Sequence, residues 1–192
     1  EHQIRAVIDQ QERNGFQLDV KAAMLLMGKL SDESAMIKAD LQNKFPPIVE
    51  LRHSEKTGKR LKDKVTVFNP ASRKQIAERL SDLGWVPQAF TDKGHPIVSE
   101  EILEKVDMPE AQLLSKYLLL EKRVSQIKSW IEAADYDGKV HGRVLTLRTI
   151  TGRMAHTSPN MAQVPAVYSP YGKECRDVWT TSCDSNALLG CD

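Results

Sequence analysis

The chain has 192 residues, 41% of them apolar, and a formal net charge of +1 at pH 7. Such a length supports one large or two small domains with a real core, and near neutrality excludes a protein that holds a polyanion through its overall charge alone. No apolar run reaches the length of a bilayer span, and Cys175, Cys183 and Cys191 show neither a CxxC pair nor a Cys/His ligand spacing, which argues against a membrane protein and a zinc site.

An odd cysteine count without a signal peptide reads as reduced thiols, so the expected location is the cytoplasm, that of a host if the source is viral. Neither an internal repeat nor a low-complexity tract is visible. Charge is distributed unevenly. Between Arg52 and Lys64 lie Arg52, Lys56, Lys59, Arg60, Lys62 and Lys64 against Glu55 and Asp63; between Lys139 and Arg176 lie Lys139, Arg143, Arg148, Arg153, Lys173 and Arg176 against Glu174 alone. Local basic segments of this kind suit a phosphate-facing surface.

In chain order, residues 1 to 14 place Ile4, Val7 and Ile8 on one helical face, and Asn14-Gly15 ends that helix. Phe16 and Leu18 lead to Asp19, an expected N-cap for a helix over 20 to 44 with Ala23, Leu26, Met27, Leu30, Ile37 and Leu41 at helical spacing. Pro46-Pro47 stops it. The basic stretch from Ile48 to Val67 reads either as a solvated loop or as a tip that touches a phosphate backbone, with Lys59 and Arg60 as candidate contacts. Asn69 and Pro70 are expected to start a helix as N-cap and first helical residue, with Ile76, Ala77, Leu80 and Leu83 inward and Gly84 at its end. Ser99 caps a short helix that opens on Glu100 and Glu101.

The longest helix is expected from Pro109 to about Ala134. Its seam is Leu113, Tyr117, Leu120, Val124, Ile127, Ile131 and Ala134, with Lys116, Lys122, Arg123 and Lys128 off it. That pattern fits a bundle helix or a strut that also meets a backbone through Lys122 and Arg123. After Asp137-Gly138 the helical period is lost. Val140, Val144, Leu145, Leu147 and Ile150 predict one or two short strands between Lys139 and Arg153, and Ala187 to Asp192 reads as a strand ending on an acid. That ending, and an opening at Glu1 already in helical pattern without Met, suggest a chain cut from a longer one.

The most informative string is Thr151-Gly152-Arg153, followed by Ser158-Pro159-Asn160 and then Ala162-Gln163-Val164-Pro165. It resembles the segment of family A (Pol I-like) DNA polymerases that joins thumb to palm and reaches the primer end. Other blocks are similar in the same order: Glu12 to Phe16, Phe68 to Gln75, Thr91 to Gly94, Lys139 to His141, and Tyr171 to Arg176. The likeness covers essentially the whole chain and is strongest toward the replicative polymerases of T-odd-type podophages.

The resemblance implies an α+β fold, with a mostly helical thumb over residues 1–134, its tip at about 45–67, and the truncated start of an antiparallel β palm over 135–192. It implies a DNA-directed DNA polymerase acting on primer-template DNA and dNTP, with Asp192 as the first catalytic carboxylate and ligand of a two-magnesium site incomplete in this chain. Arg153 is implied as the minor-groove contact at the primer terminus, where the acceptor pattern is largely sequence-degenerate. Asn160 and Gln163 are implied as amide contacts near the active site, with loop capping a close alternative for Asn160. Arg176 is implied at a backbone phosphate. Ala155-His156 and Ala162-Gln163 depart from the commoner family residues. The stretch from Phe45 to Val67 is too short for the long processivity-factor insertion of the podophage branch, so a thioredoxin-type partner is not expected. His141 and His156 have no paired carboxylate or serine in the sequence and are assigned no catalytic role. A non-catalytic, sequence-independent nucleic-acid-binding helical module is the competing reading.

Overall fold

The computed structural model describes residues 2–53 and 58–181. Its fold is α+β, with long helices and small antiparallel sheets, as expected. The chain divides into two compact units: residues 1–30 with 123–192, and residues 31–122 between them in sequence.

In the first unit, α1 (His2–Asn14) ends where Gly15 adopts φ +63, and β1 (Phe16–Leu18) follows. Asp19 then caps α2 (Val20–Lys44), its Oδ1 accepting from the Ala22 amide at 2.9 Å. β1 is the middle strand of a three-stranded antiparallel sheet. Phe16 pairs with Val140 of β4 (Lys139–Val140), and Leu18 pairs with Trp179 of β7 (Trp179–Thr180). Leu18, Val140, Val178 and Trp130 are buried in this unit, and the Trp130 and Trp179 rings meet edge to face at 5.3 Å. Only Ile8 of the expected α1 face is buried; Ile4 and Val7 are exposed. The seated face instead runs through Arg5, Ile8 and Glu12, because the two polar side chains are used for bonds described below.

The second unit holds β2 (Ile48–Glu50), β3 (Lys64–Thr66), α3 (Arg73–Asp82) and α4 (Glu100–Glu104), together with parts of α2 and of α5 (Pro109–Ala133). Phe45 and Phe68 pack at 4.7 Å beside a core that includes Leu41, Ile76, Leu80, Leu103 and Leu114. Two expectations are corrected here. The basic stretch is a hairpin, with Ile48 opposite Thr66 and Glu50 opposite Lys64, because its ends carry β-branched residues that pair across it. The cap of α3 is Ser72, whose Oγ accepts from the Gln75 amide at 3.4 Å; Asn69 instead bends the chain ahead of the helix, its Oδ1 accepting from Ala71 N. Gln75 Oε1 closes the arrangement on the Asn69 amide at 2.7 Å. Leu83, expected inward, is half exposed because it sits at the helix C-cap. Ser99 caps α4 as expected, accepting from Ile102 N at 3.3 Å.

The seam of α5 is broader than its heptad pattern. Leu114, Leu118 and Trp130 are buried with Tyr117, Leu120 and Ile127, and so is Arg123, a residue that the pattern puts off the seam. No helix among the described residues is long and apolar enough to cross a membrane.

Candidate nucleic-acid interface

Residues 139 to 153 do contain two strands, β4 and β5 (Arg143–Leu145), and β5 pairs with a further strand, β6 (Ala155–Thr157). Val144 lies opposite His156 and Leu145 opposite Ala155. The connection between β5 and β6 carries Arg148, Ile150 and Arg153, all exposed. Its bend is set locally: Thr149 Oγ1 donates to the Arg153 carbonyl at 2.6 Å, the Gly152 amide donates to Thr149 O at 3.1 Å, and Gly152 takes φ +76. The Arg153 guanidinium makes no ion pair or hydrogen bond among the described residues, so its planar donor fork is open to a ligand.

The base of this hairpin is fixed from α1. Arg5 Nη1 donates to the Val144 carbonyl at 2.9 Å, and Glu12 Oε1 accepts from the Val144 amide at 2.6 Å. Arg5 and Glu12 also pair with each other at 3.3 Å. Both backbone groups of one β5 residue are therefore held by charged partners, which form stronger hydrogen bonds than neutral ones. Sequence reasoning missed this clamp. Its signal was the seven-residue separation of Arg5 and Glu12, two helical turns on one face.

A second brace comes from the 3₁₀ turn Met161–Gln163. A Cβ added at Gly142 would run into the Met161 side chain, so glycine is what allows that turn to close on the strand entry. Beside it lies a cavity of about 160 Å³ lined by Glu12, Gly15, Phe16, Val144, His156 and Ala162, among others.

The remaining site candidates divide by what they touch. Asn160 caps the 3₁₀ turn, its Oδ1 accepting from the Ala162 amide at 3.2 Å, which is the capping alternative to a DNA contact. Gln163 is exposed, and its carbonyl accepts from Gln126 Nε2 at 3.0 Å. Arg176 lies on α6 (Gly172–Asp177); its Nε donates to the Pro165 carbonyl at 2.7 Å while the residue stays exposed. Arg123 is corrected: it is buried, with Nε on Pro170 O at 3.4 Å and Nη1 on Gln126 Oε1 at 3.0 Å, so it ties α5 to the loop before α6 instead of facing a phosphate. Burial raises the thiol pKa of Cys175 on α6, and the Arg123 charge opposes that rise.

In the other unit, Lys122 is exposed with Nζ 3.7 Å from Glu100. Lys59 is exposed, and Arg60 pairs with Asp63 at 3.0 Å. Asp192 lies outside the described residues, as do Cys183, Cys191 and the expected strand at Ala187–Asp192. Among the described residues no group of three or more His, Cys, Asp or Glu is placed to hold a metal ion. They do not by themselves fit a two-magnesium site.

A family model described as "DNA polymerase family A" matches residues 48–192, well over half of the chain. The chain belongs to DNA polymerase family A. Its relatives include the DNA-directed DNA polymerases of Enterobacteria phage T3 (43% identical) and Escherichia phage T7 (42%), each over an alignment 134 residues long that covers 65% of this chain and 19% of the relative. DNA polymerase I of Helicobacter pylori (strain ATCC 700392 / 26695) is 32% identical over 127 residues, 65% of this chain and 14% of that protein. This family A chain thus spans about a fifth of the length of the phage relatives it matches. The POL domain of Pol1 from M. smegmatis, solved in complex with DNA primer-template and dNTP, has the same fold: TM-score 0.73 at 19% identity, over 93% of this chain and 29% of that one.

Proposed function

We propose that this family A chain is the part of a DNA-directed DNA polymerase that holds primer-template DNA, with residues 1–134 as thumb and 135–192 as the start of the palm. The observation that carries the reading is Arg153: an exposed guanidinium, unpaired among the described residues, on a hairpin whose base is clamped by Arg5 and Glu12. A planar fork held at a fixed height suits the minor-groove acceptors of a primer-end base pair, which look alike for all sequences. Arg148, Arg176 and the Lys59/Arg60 hairpin supply cations for backbone phosphates, which fix register and carry no sequence information. In a complete polymerase Asp192 would be this chain's one carboxylate ligand toward a two-magnesium site, and the chemistry such a site would supply is charge stabilisation at the reacting oxygens.

The test is fluorescence anisotropy with a labelled primer-template duplex. The 192-residue chain is expected to bind weakly, without sequence preference, and with affinity that falls steeply as salt rises. It is not expected to extend the primer in magnesium. Salt-independent binding, or extension by the chain alone, overturns the assignment. Within a complete polymerase, Arg153→Ala is expected to reduce extension by roughly ten- to a hundred-fold, the range of one good bidentate contact, with a smaller loss of duplex affinity. Loss of affinity alone would remove Arg153 from the primer end.

A further inference from the structure

His141 lies between β4 and β5 with an acceptor at each ring nitrogen. Nδ1 is 2.7 Å from the Glu12 carbonyl oxygen, and Nε2 is 3.1 Å from Asp135 Oδ2. A carbonyl oxygen can only accept, so Nδ1 must carry a proton. Asp135 Oδ1 already accepts from the Asp137 amide at 2.9 Å and the Lys139 amide at 2.8 Å. Those bonds, the Lys139 amide first, hold the Asp135 carboxyl below its usual range and keep it ionised. An ionised carboxylate also only accepts, so Nε2 must be protonated too. The geometry is satisfied by the imidazolium and by neither neutral tautomer.

The ring is also seated sterically. A Cβ on Gly15 would lie 2.8 Å from His141 Cε1, so the glycine that ends α1 clears the space the imidazole occupies. Glu12 belongs to the last turn of α1, where carbonyls have no intrahelical donor and the helix dipole favours a cation. His141 therefore caps the C-terminal end of the helix whose Arg5 and Glu12 side chains clamp Val144.

We infer that His141 is a protonated latch, a positioning residue that fastens the end of α1 and the Asp135 turn to the strand feeding the Arg153 hairpin. Its effect on DNA rests on the primer-end reading above; its protonation does not. The charged groups facing the ring are Asp135 from the turn after α5, Lys139 from β4, which opposes the cation, and Glu12 from α1, whose carboxylate is engaged by Arg5 and Val144. His156 of β6 lines the neighbouring cavity with Glu12 and Gly15. The Glu12 carbonyl first and Asp135 second raise the His141 pKa above its ordinary 6.5. A raised folded-state value means that the latch acts fully below pH 6.5 and is lost as pH climbs through the folded pKa.

Imidazole ¹⁵N NMR of the 192-residue chain tests the latch directly. At pH 6 both His141 nitrogens should show the imidazolium signature, with a titration midpoint above the ordinary 6.5, and Asp135→Asn should lower the midpoint by at least half a pH unit. A neutral tautomer at pH 6, or a midpoint indifferent to Asp135→Asn, overturns it whatever the chain does with DNA. Duplex affinity is then measured across pH 6 to 8.5 for the wild type and for His141→Gln. The wild type should lose several-fold more affinity over that range than the variant, with melting confirming that the variant is folded. Parallel pH profiles would remove the positioning role, whereas absence of salt-dependent binding at every pH would overturn the primer-template reading instead. If His141→Gln fails to fold, the profile of Asp135→Asn takes its place and should be similarly flattened.

Discussion

Two hairpins of this chain present arginine or lysine to solvent, and they are built in opposite ways. β5–β6 is braced: Val144 is held at both backbone groups by Arg5 and Glu12, and Met161 closes against Gly142. β2–β3 has no such brace among the described residues. Every residue of β2 is exposed, as are Lys64 and Val65 of β3, and its ion pairs, Lys64 with Glu50 and Arg60 with Asp63, lie within the hairpin itself. A two-stranded ribbon without a packed face is marginally stable in water. Under the proposed function the contrast would suit two tasks, since testing the shape of one base pair needs a fork at a fixed position, whereas following a phosphate backbone needs charge that can adjust.

The comparison breaks first at Gly142. Replacing it with valine drives a branched side chain into Met161 and is expected to destabilise the first unit by about 3 kcal/mol, the upper range for overpacking. Urea melts measure this, and a cost below about 1 kcal/mol would mean that the brace is loose. Next comes Glu12→Ala, which strips the Val144 amide and the Arg5 guanidinium of a partner. About 2 kcal/mol is expected, with faster hydrogen exchange in β5 and β6 and unchanged exchange in β2 and β3. Equal changes in both hairpins would erase the distinction. The pair Lys59→Ala with Arg60→Ala should leave melting nearly unmoved and lower the salt slope of duplex binding by roughly two, if each cation meets one phosphate. An unchanged slope takes this hairpin off the DNA. Smallest is Lys64→Ala, which opens an exposed ion pair and should change stability by less than about 1 kcal/mol.

Much of the helical scaffold was legible because its signals are local. Asp19, Ser99, Gly15 and Gly84 announce helix ends through backbone chemistry that a short window contains. Asn69 misled for a related reason: it and Ser72 are both capping types, and the choice fell to Ser72 once Gln75 bonded back to the Asn69 amide. Arg123 shows a different limit. A heptad pattern treats arginine as a surface residue, but the Pro170 carbonyl and Gln126 supply the acceptors that make its burial tolerable. For the clamp at Val144 the sequence shows only the Arg5 to Glu12 spacing, because the strand residue that the pair holds is brought to it by the folded chain alone. His141 likewise met its carboxylate, Asp135, across a turn whose geometry no spacing rule describes. The segment around Arg153 is the opposite case, since the order of its residues is distinctive in itself and needs no folding to be read.

β1 carries a consequence for how the protein assembles. This three-residue strand is made well before its partners, which come from far later in the chain on both sides: Gln17 meets Lys139 on one edge and Thr180 on the other. Residues 31–122 form a continuous compact unit with no such wait. The inserted unit is therefore expected to fold first on the ribosome, while α1 and β1 stay unsheeted until the chain has passed Thr180. Closing a sheet across so long an interval is the slow kind of folding event. The α1 clamp and the Arg153 hairpin, which are completed only with that closure, would take shape after residues 31–122 are already folded.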